Sequence, residues 1–454
     1  MARIVDALAT TEALSEIFGD ESVLQALLDV EAALARAQSA LGVIPPGAGA
    51  AITRAAVADG FDADTLAREA RASGTIAIPL VAALTARVEA VDPEAARVVH
   101  WGATSQDIAD TAMSLLIDRA CAVMADDASA LAAGLRDLSD RHADTVMLGR
   151  TLLQPAPPIT FGLKAAGWLA GLSRSWSRVE QARREAARVQ LGGASGTLAA
   201  LGDRGPEVAA ALARELGLAA GEDAPWHASR DRLAALISAC AIVGGILGKI
   251  ARDISLLMQF EVGEAREAGG GSSAMPNKQN PSGCARTLAA AARLPGLAAT
   301  MLAGLVQEHE RAVGAWQAEW PVIADALQAT GAALQAMRGV ITGLAVDPAR
   351  MRANLDATRG TIFAERVVML AAPVLGRSAA HQLLKDALAR SQASGQSLAD
   401  IVRAVPELAG VVDAQALQSL DDPRAYLGAA ETLRQRLLAS IEDPLGRELH
   451  AGRP

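Results

Sequence analysis

The sequence predicts an all-α protein whose body is a bundle of long helices. Apolar residues recur every three or four positions, as over residues 24–41, which places them on one helical face. Alternating runs of β-branched residues, the usual signal for strands, are few. Several helical stretches reach roughly 30 residues, or about 45 Å of α-helix. Rods of this length suit a long bundle, and their aliphatic faces favour an oligomer.

Glycine and proline residues separate the predicted helices. The helix over 24–41 ends at Gly42, where a glycine and then two prolines act as stop signals. Pro321 is expected to kink the helix that contains it. The further predicted helices, with one or two in the last range, span residues 112–142, 161–190, 226–267 and 282–343.

The order of these segments predicts three domains. An N-terminal helical domain would span residues 1–111, and the long-helix bundle would span 112–352. A small C-terminal helical domain would span 353–454. The sequence shows no internal period of 20–50 residues, so a solenoid is not expected.

Composition excludes several classes of function. The chain has 454 residues, a net charge of −9 and no basic block, which argues against binding nucleic acid. Its three cysteines lack the spacing of a metal site or a disulfide framework. The apolar run 233–248 is shorter than the roughly 20 residues of a membrane span and predicts a buried helix. No signal peptide is expected, so we predict a cytoplasmic protein without nucleic-acid or membrane partners.

Three polar segments interrupt the helical pattern. They are rich in Gly, Ser, Thr, Asn or Pro, and each adjoins a predicted long helix. Loops at helix ends are where a rigid scaffold usually presents its chemistry. We call them the first island (100–107, HWGATSQD), the second island (149–158, GRTLLQPAPP) and the third island (269–281, GGGSSAMPNKQNP).

The first island has two readings. Thr104 or Ser105, together with Asp107, could simply cap the helix that follows. Alternatively, hydroxyls and backbone N–H groups at a helix N-terminus form a site for a carboxylate. His100 beside this hydroxyl cluster favours a proton donor or a substrate contact, although a lone histidine is often structural.

The third island indicates a functional site more specifically than the first island does, although its glycines alone could mark a flexible linker. Lys278 is one of four lysines among 42 basic residues, so it indicates a selected point charge. Ser272 and Ser273 follow the glycines and could close over a ligand. A cation and nearby N–H donors would favour loss of the serine proton.

The islands together carry a family resemblance. GSSAMPNKQNP resembles the GSSxMPxKxNP loop of the fumarase/aspartase superfamily. HWGATSQDIADT and GRTLLQPA resemble that superfamily's first two signature regions, and NLDATRGTIFAERV resembles the C-terminal part of adenylosuccinate lyase and its relatives. The resemblance implies a three-domain homotetramer with a core of 20 helices. Each active site would combine islands from three subunits, with the third island as a mobile catalytic loop.

The resemblance also implies roles for ten residues. Ser272 would be the base that removes a proton from the carbon next to a carboxylate. Lys278 and Asn280 would hold the carboxylate that takes up the charge. His100 would orient substrate or assist proton transfer. The other implied substrate contacts are Thr104, Ser105, Thr151, Gln154, Ser273 and Met275. No metal or organic cofactor is expected.

Two departures from the family pattern limit which of the superfamily's reactions the protein could catalyse. Leu152 stands where many members have a histidine that assists the leaving group. Ala285 stands where some have a glutamate. An amine leaving group, with a conjugate-acid pKa near ~10, needs a proton as it departs, whereas a carboxylate, near ~4, does not. The difference corresponds to roughly 8 kcal/mol of proton affinity.

The missing pair favours the branch of cycloisomerases in which a carboxylate of a small tricarboxylate adds to a double bond and closes a lactone. The segment QEHERAVGAWQAEW (307–320) also resembles that branch. Its residues Trp316 and Trp320 could instead be ordinary core residues. Three alternatives stay open: an adenylosuccinate lyase-like C–N lyase, a lyase for another dicarboxylate, and a non-catalytic structural member of the superfamily.

Overall fold

The computed structural model describes residues 4–220, 225–412, 416, 420 and 422–441. The described residues form helices throughout, with two short strand pairs. The α-helices in chain order are α1 (Glu12–Ile17), α2 (Asp20–Ala40), α3 (Ala48–Ala55), α4 (Ala63–Ser73), α5 (Ala77–Glu89), α6 (Pro93–Ala96), α7 (Ser105–Arg141), α8 (Phe161–Ala186), α9 (Gly205–Leu216), α10 (Asp231–Leu257), α11 (Ser282–Ala303), α12 (Ala315–Thr342), α13 (Pro348–Asp356), α14 (Ala364–Leu375), α15 (Arg377–Ser394), α16 (Leu398–Ala404), α17 (Pro406–Ala409) and α18 (Ala430–Ala439).

The predicted all-α class is confirmed, and the long helices occur where periodicity placed them. The helix predicted over 226–267 is shorter, because α10 occupies only Asp231–Leu257. Residues 282–343 form two helices, α11 and α12, separated by a segment that begins at Gly304 and ends at Gly314. Pro321 lies in the second turn of α12.

The second island forms a β-hairpin, which the sequence did not predict. Strand β1 (Val146–Thr151) pairs antiparallel with β2 (Gln154–Thr160), and the register changes between Met147 and Gly149. A Cβ atom at Gly149 would lie 2.3 Å from the carbonyl oxygen of Pro157. Only glycine therefore fits at this point of the hairpin. A second antiparallel pair joins β3 (Ala265–Arg266) to β4 (Ala345–Val346).

The described residues group into two compact units. Unit 1 comprises those within Met1–Ser129, Arg174–Lys249 and Ala285–Met337. In this unit α2 packs against α3 and α9, and its apolar face is fully buried through residues such as Leu27 and Leu34. A Cβ atom at Gly49 would lie 2.8 Å from the Ala35 carbonyl oxygen, so glycine lets α3 approach the α2 backbone closely.

Unit 2 comprises the described residues within Ala130–Ser173, Ile250–Cys284 and Arg338–Pro454. Its core includes Leu148 of the hairpin, Phe363, and apolar residues of α14 to α16 such as Val367 and Leu384. The predicted domain boundaries, after residues 111 and 352, fall inside α7 and α13. The three-domain division stays a prediction.

Helix α10 contains the apolar run 233–248. By length and composition it could cross a membrane, but 61% of its most apolar window is buried within the protein. Residues such as Leu236, Ile237 and Val243 are fully buried. This burial is what the sequence predicted for a core helix of a bundle.

Candidate active site

The first island lies immediately before α7 and caps it. The Thr104 carbonyl accepts the first helical bonds, from the N–H groups of Asp107 at 3.0 Å and Ile108 at 3.4 Å. The Asp107 carboxylate accepts in return from the Thr104 N–H at 2.9 Å. Such reciprocal bonding satisfies donors that a helix start leaves open. The Asp107 part of the predicted cap is confirmed, and its counterpart is the Thr104 backbone rather than the Thr104 hydroxyl. The cap places Thr104 and Ser105 at the helix N-terminus.

Asp107 does more than cap the helix. Its buried carboxylate also accepts from the N–H groups of Gly192 and Gly193, each at 2.9 Å. The Nε2 atom of His227 lies 2.7 Å from the same carboxylate. Four donors thus surround one buried anion, which is how proteins accommodate a charge away from water. Asp107 therefore ties the first island to the segments around residues 192 and 227.

One turn along α7, Asp110 belongs to a buried ionic cluster. Arg230 donates to both Asp110 oxygens, at 2.7 and 3.0 Å, and to Glu319 at 3.0 Å. The Nε1–H of Trp316 donates to Asp110 at 2.9 Å. Burial raises the pKa of Glu319, although the Arg230 guanidinium opposes this shift. The cluster holds α12 against α7, and Trp316 is a core residue that also lines the cleft described below.

Arg311 is a site residue that the sequence analysis missed. Its guanidinium donates to the Thr104 hydroxyl at 2.8 Å and to the Ser105 hydroxyl at 3.3 Å. It also donates to the Gln106 side chain at 3.2 Å. The segment 307–320 carries the family resemblance, but in a chain this rich in arginine nothing in the sequence distinguishes Arg311 from the other arginines. Arg311 supplies the positive charge that an anion site at the first island requires.

His100 precedes this site in a left-handed conformation, with φ of 59°. Its Nδ1 lies 2.6 Å from the buried Glu31 carboxylate. Burial by itself lowers the pKa of His100, but the carboxylates of Glu31 and Asp107 outweigh it, and the pKa is raised overall. The imidazolium form is therefore favoured to a higher pH than in an ordinary histidine.

These side chains line one cleft in unit 1, with a volume of about 760 Å³. Its polar lining combines His100, Thr104 and Ser105 with Arg311, and the rest includes Ile78 and Trp316. The volume falls within the range of small-molecule sites. Hydroxyls and cations that converge at a helix N-terminus suit a ligand carrying carboxylates.

The second island presents its predicted residues at the tip of the hairpin. Thr151 and Gln154 are paired across the strands. Leu152 and Leu153 form the turn with φ of 49° and 64°, a conformation that two-residue hairpins usually give to Asn and Gly. The Leu152 side chain is 96% exposed. Its aliphatic side chain cannot donate a proton.

An ion pair to the buried Glu264 carboxylate anchors the hairpin within unit 2. Arg150 donates to both oxygens of Glu264, at 2.9 and 2.6 Å. The Asn354 side chain donates to the same carboxylate at 2.8 Å. Bidentate pairing of this kind fixes orientation as well as distance. The turn residues thus project from a rigid base.

The third island is a loop closed at its own base. The Asn280 N–H donates to the Gly270 carbonyl, and its side chain donates to the Gly271 carbonyl at 3.1 Å. Gly270 has φ of 79°, and a Cβ atom there would lie 1.8 Å from the Asn280 carbonyl oxygen. Beyond the loop, Glu267 accepts from the N–H groups of Gly283 and Cys284 at the start of α11. Both ends of the loop are therefore held.

Within this loop the two serines differ. The Ser272 hydroxyl oxygen accepts from the N–H groups of Met275 at 3.1 Å and Ala274 at 3.3 Å. These donors favour a negative charge on that oxygen. Ser273, Met275 and Lys278 are exposed to solvent, whereas Ser272 is half-buried.

The ten predicted residues thus fall into three groups. His100, Thr104 and Ser105 share the cleft of unit 1. Thr151 and Gln154 are neighbours on the hairpin. The last group lies on the loop and comprises Ser272, Ser273, Met275, Lys278 and Asn280. Their roles in a reaction stay predictions. In the part of the chain that the structure describes, no group of three or more His, Cys, Asp or Glu residues is arranged to hold a metal ion.

Comparison with known proteins identifies the protein family to which the chain belongs. Residues 7–296 match the family model described as Lyase. Residues 360–437 match the one described as Adenylosuccinate lyase C-terminus. The chain belongs to this lyase family, as the motifs of its three islands predicted.

Three proteins within this family illustrate what the chain is similar to. A 3-carboxy-cis,cis-muconate cycloisomerase from Bradyrhizobium diazoefficiens is 48% identical over 93% of this chain and 94% of its own. The crystal structure of 3-carboxy-cis,cis-muconate lactonizing enzyme from Pseudomonas putida matches with a TM-score of 0.91 and 42% identity, covering 98% of this chain and all of that one. A nitrosuccinate lyase from Streptomyces davaonensis is 42% identical over 92% of this chain and 90% of its own.

The buried Arg230 cluster generates a stability prediction. Replacing Arg230 with Met leaves Asp110 and Glu319 buried without their cation, so we expect a loss of roughly 3–5 kcal/mol in the free energy of unfolding. Arg97→Met is the control, because Arg97 pairs with Glu94 in solvent and such pairs contribute about 0–1 kcal/mol. The measurement is denaturant unfolding of both variants and the wild type.

The same comparison has a pH dependence. Without Arg230, the pKa of Glu319 rises further, since burial raises it and the opposing cation is gone. A carboxyl whose folded-state pKa is raised destabilises the protein at high pH and regains a proton as pH falls. The Arg230→Met loss should therefore be smaller at pH 5 than at pH 8. An equal loss in both variants at both pH values would contradict the role assigned to the cluster.

Proposed function

We propose that the chain interconverts 3-carboxy-cis,cis-muconate and its carboxymuconolactone, in the catabolism of protocatechuate by the β-ketoadipate pathway. Relatives of 48% and 44% identity bear the name of this cycloisomerase. The observation in this chain that carries the proposal is Leu152. An aliphatic residue at the hairpin tip leaves that position without an acid for a basic leaving group.

A carboxylate needs no such acid. In the lactone-forming direction, an oxygen of one substrate carboxylate bonds to a carbon of the double bond. The displaced electron pair moves into the conjugated carboxylate, and one proton must then reach the neighbouring carbon. In the reverse direction the carboxylate departs as a weak base, with a conjugate-acid pKa near ~4. Ala285 in place of a glutamate agrees with this chemistry.

The cleft of unit 1 would bind the carboxylates. Arg311 with the Thr104 and Ser105 hydroxyls forms a receptor for one carboxylate, and His100 adds a second cationic group. A substrate with three carboxylates requires this concentration of positive charge. Stabilisation of the charge that develops in the intermediate is the largest expected contribution to rate.

The loop would supply the proton. Ser272 donates its hydroxyl proton to the carbon during lactone formation, and its alkoxide removes that proton in reverse. The two backbone N–H groups that face its oxygen, from Ala274 and Met275, stabilise the alkoxide. Lys278 and Asn280 would hold the carboxylate that carries the intermediate's charge. No metal or organic cofactor takes part.

We also propose a cytoplasmic homotetramer in which the three islands of each active site come from different subunits. Large apolar side chains that are exposed in the single chain support an assembly, because exposed apolar surface often marks an interface. Those most exposed near the second and third islands are Leu152, Leu153 and Phe260.

A lyase for another dicarboxylate is the second candidate. A relative of 42% identity is named nitrosuccinate lyase. Nitrite, like a carboxylate, is a weak base, so its loss from nitrosuccinate would also not need an acid at Leu152. An adenylosuccinate lyase activity fits less well, since its amine leaving group needs a proton.

An absorbance assay distinguishes these functions. Purified protein is mixed with 3-carboxy-cis,cis-muconate in the presence of a chelator, and loss of the conjugated diene is followed in the ultraviolet. We expect rapid loss that the chelator does not slow. Parallel reactions contain nitrosuccinate and adenylosuccinate, with release of fumarate as the signal. Faster turnover of either would move the protein to the lyases.

A pair of serine variants tests the proton-transfer step. Ser272→Ala should lower kcat by about 100- to 10,000-fold, the range for loss of an acid–base group. Ser273→Ala is the matched control and should lower kcat much less, because its hydroxyl receives no comparable N–H donors in the described loop. A larger loss for Ser273→Ala, with both variants folded by circular dichroism, would reverse the assignment.

A further inference from the structure

Glu31 is a buried carboxylate in the middle of α2, with apolar neighbours such as Leu28 and Leu34. Its side chain is only 1% exposed. One oxygen, Oε1, lies 2.6 Å from His100 Nδ1. The other, Oε2, is buried, and no hydrogen-bond partner for it is present among the described residues. Burying a carboxylate is costly unless it is paired, so the contact with His100 is what offsets the burial of Glu31 among the described residues.

A second residue of α2 holds the same segment. Gln38 follows Glu31 by seven positions and therefore lies on the same helical face. Its buried side-chain amide donates to the Trp101 carbonyl at 2.7 Å. Glu31 and Gln38 thus hold two consecutive residues, at the point where His100 adopts its left-handed φ of 59°. Strained backbone that is held in this way is typical of functional sites.

We propose that Glu31 is a positioning residue that keeps His100 as an imidazolium and directs its Nε2–H to a substrate carboxylate in the cleft. This inference rests on the proposed function, because His100 is one of the two cationic groups, with Arg311, that would bind the substrate carboxylates. In the neutral tautomer that donates from Nδ1 to Glu31, Nε2 would be an acceptor and would repel a carboxylate. Only the imidazolium donates from both nitrogens.

The charges around His100 come from three segments. Glu31 belongs to α2, Asp107 to the first turn of α7, and Arg311 to the segment before α12, which lines the same cleft. Both carboxylates raise the pKa of His100, in opposition to burial. The imidazolium is therefore present below the raised pKa and is lost as pH rises through it. Without Glu31, only Asp107 would oppose the effect of burial, and the pKa of His100 would fall.

Glu31→Gln tests this by changing charge at nearly constant shape. The profile of kcat/KM against pH should lose its high-pH limb at lower pH than in the wild type. Each unit by which the pKa falls lowers the protonated fraction above it tenfold, so we expect a loss of about 10- to 100-fold at pH 8. Activity should approach that of the wild type near pH 6.

Asp29→Asn is the matched control. It removes a carboxylate from the same helix, where Asp29 contacts Gln25 and Arg119 rather than His100. Its pH profile should coincide with that of the wild type. Glu31→Asp keeps the charge on a shorter side chain and should give an intermediate profile. It also serves if Glu31→Gln fails to fold by circular dichroism.

A double-mutant cycle separates positioning from general structural support. If Glu31 acts through His100, Glu31→Gln should cost nothing further in a His100→Gln background. A full additive loss there, or an unchanged pH profile in Glu31→Gln alone, would overturn the proposal.

A binding readout keeps this test independent of turnover. Tricarballylate, a saturated tricarboxylate, should raise the melting temperature of the wild type at pH 6 and pH 8. For Glu31→Gln it should do so at pH 6 but much less at pH 8. If this pattern appears in a protein that does not turn over carboxymuconate, the proposed function fails and the role of Glu31 stands. If tricarballylate stabilises the wild type at neither pH, the role of Glu31 is wrong.

Discussion

The geometry of the cleft depends on the buried carboxylate of Asp107. Four donors surround it, from Thr104, Gly192, Gly193 and His227. These bonds set where α7 begins and hence where the Thr104 and Ser105 hydroxyls lie. Arg311 is oriented by those hydroxyls in turn. A fully bonded buried charge is rigid because each partner would be costly to leave unpaired. The Asp107 carboxylate therefore positions, through Thr104 and Ser105, the arginine that would bind a substrate carboxylate.

The distribution of charged side chains also fits the proposed addition of a carboxylate to a double bond. The cleft contains His100 and Arg311, and the loop contains Lys278, but the two turn residues of the hairpin, Leu152 and Leu153, are aliphatic. Such a protein is equipped to stabilise negative charge and poorly equipped to protonate a basic leaving group. Addition and loss of a carboxylate fit that equipment, because the reaction moves charge between carboxylates and transfers one proton at carbon. Ser272, which we propose transfers that proton, lies on a loop whose base is closed by the bond from the Asn280 N–H to the Gly270 carbonyl.

Local signals predicted most of the fold, whereas long-range contacts did not emerge from the sequence. Helical periodicity located the long helices, and the glycine-rich motif located the loop. The hairpin was missed because its prolines argue against a strand, yet a two-stranded pair consists of edge strands, which tolerate proline. Arg311 was missed because its partner Thr104 is 207 positions away. In the sequence, Glu31 is one polar position within an apolar helix. Its contact with His100 arises only in the folded chain.

The most direct measurement is the lactonisation rate of Leu152→His beside that of the wild type. This substitution restores the acid that many family members carry at the hairpin tip. If the carboxylate can attack without a base and depart in reverse without an acid, the histidine should give no gain in kcat for 3-carboxy-cis,cis-muconate. An unchanged or lower kcat, with the fold retained by circular dichroism, is the expected result. A large gain would mean that the attacking carboxylate is helped by a base at the hairpin tip, which is the same group that would act as an acid for its departure in reverse, and would contradict the role assigned to Leu152.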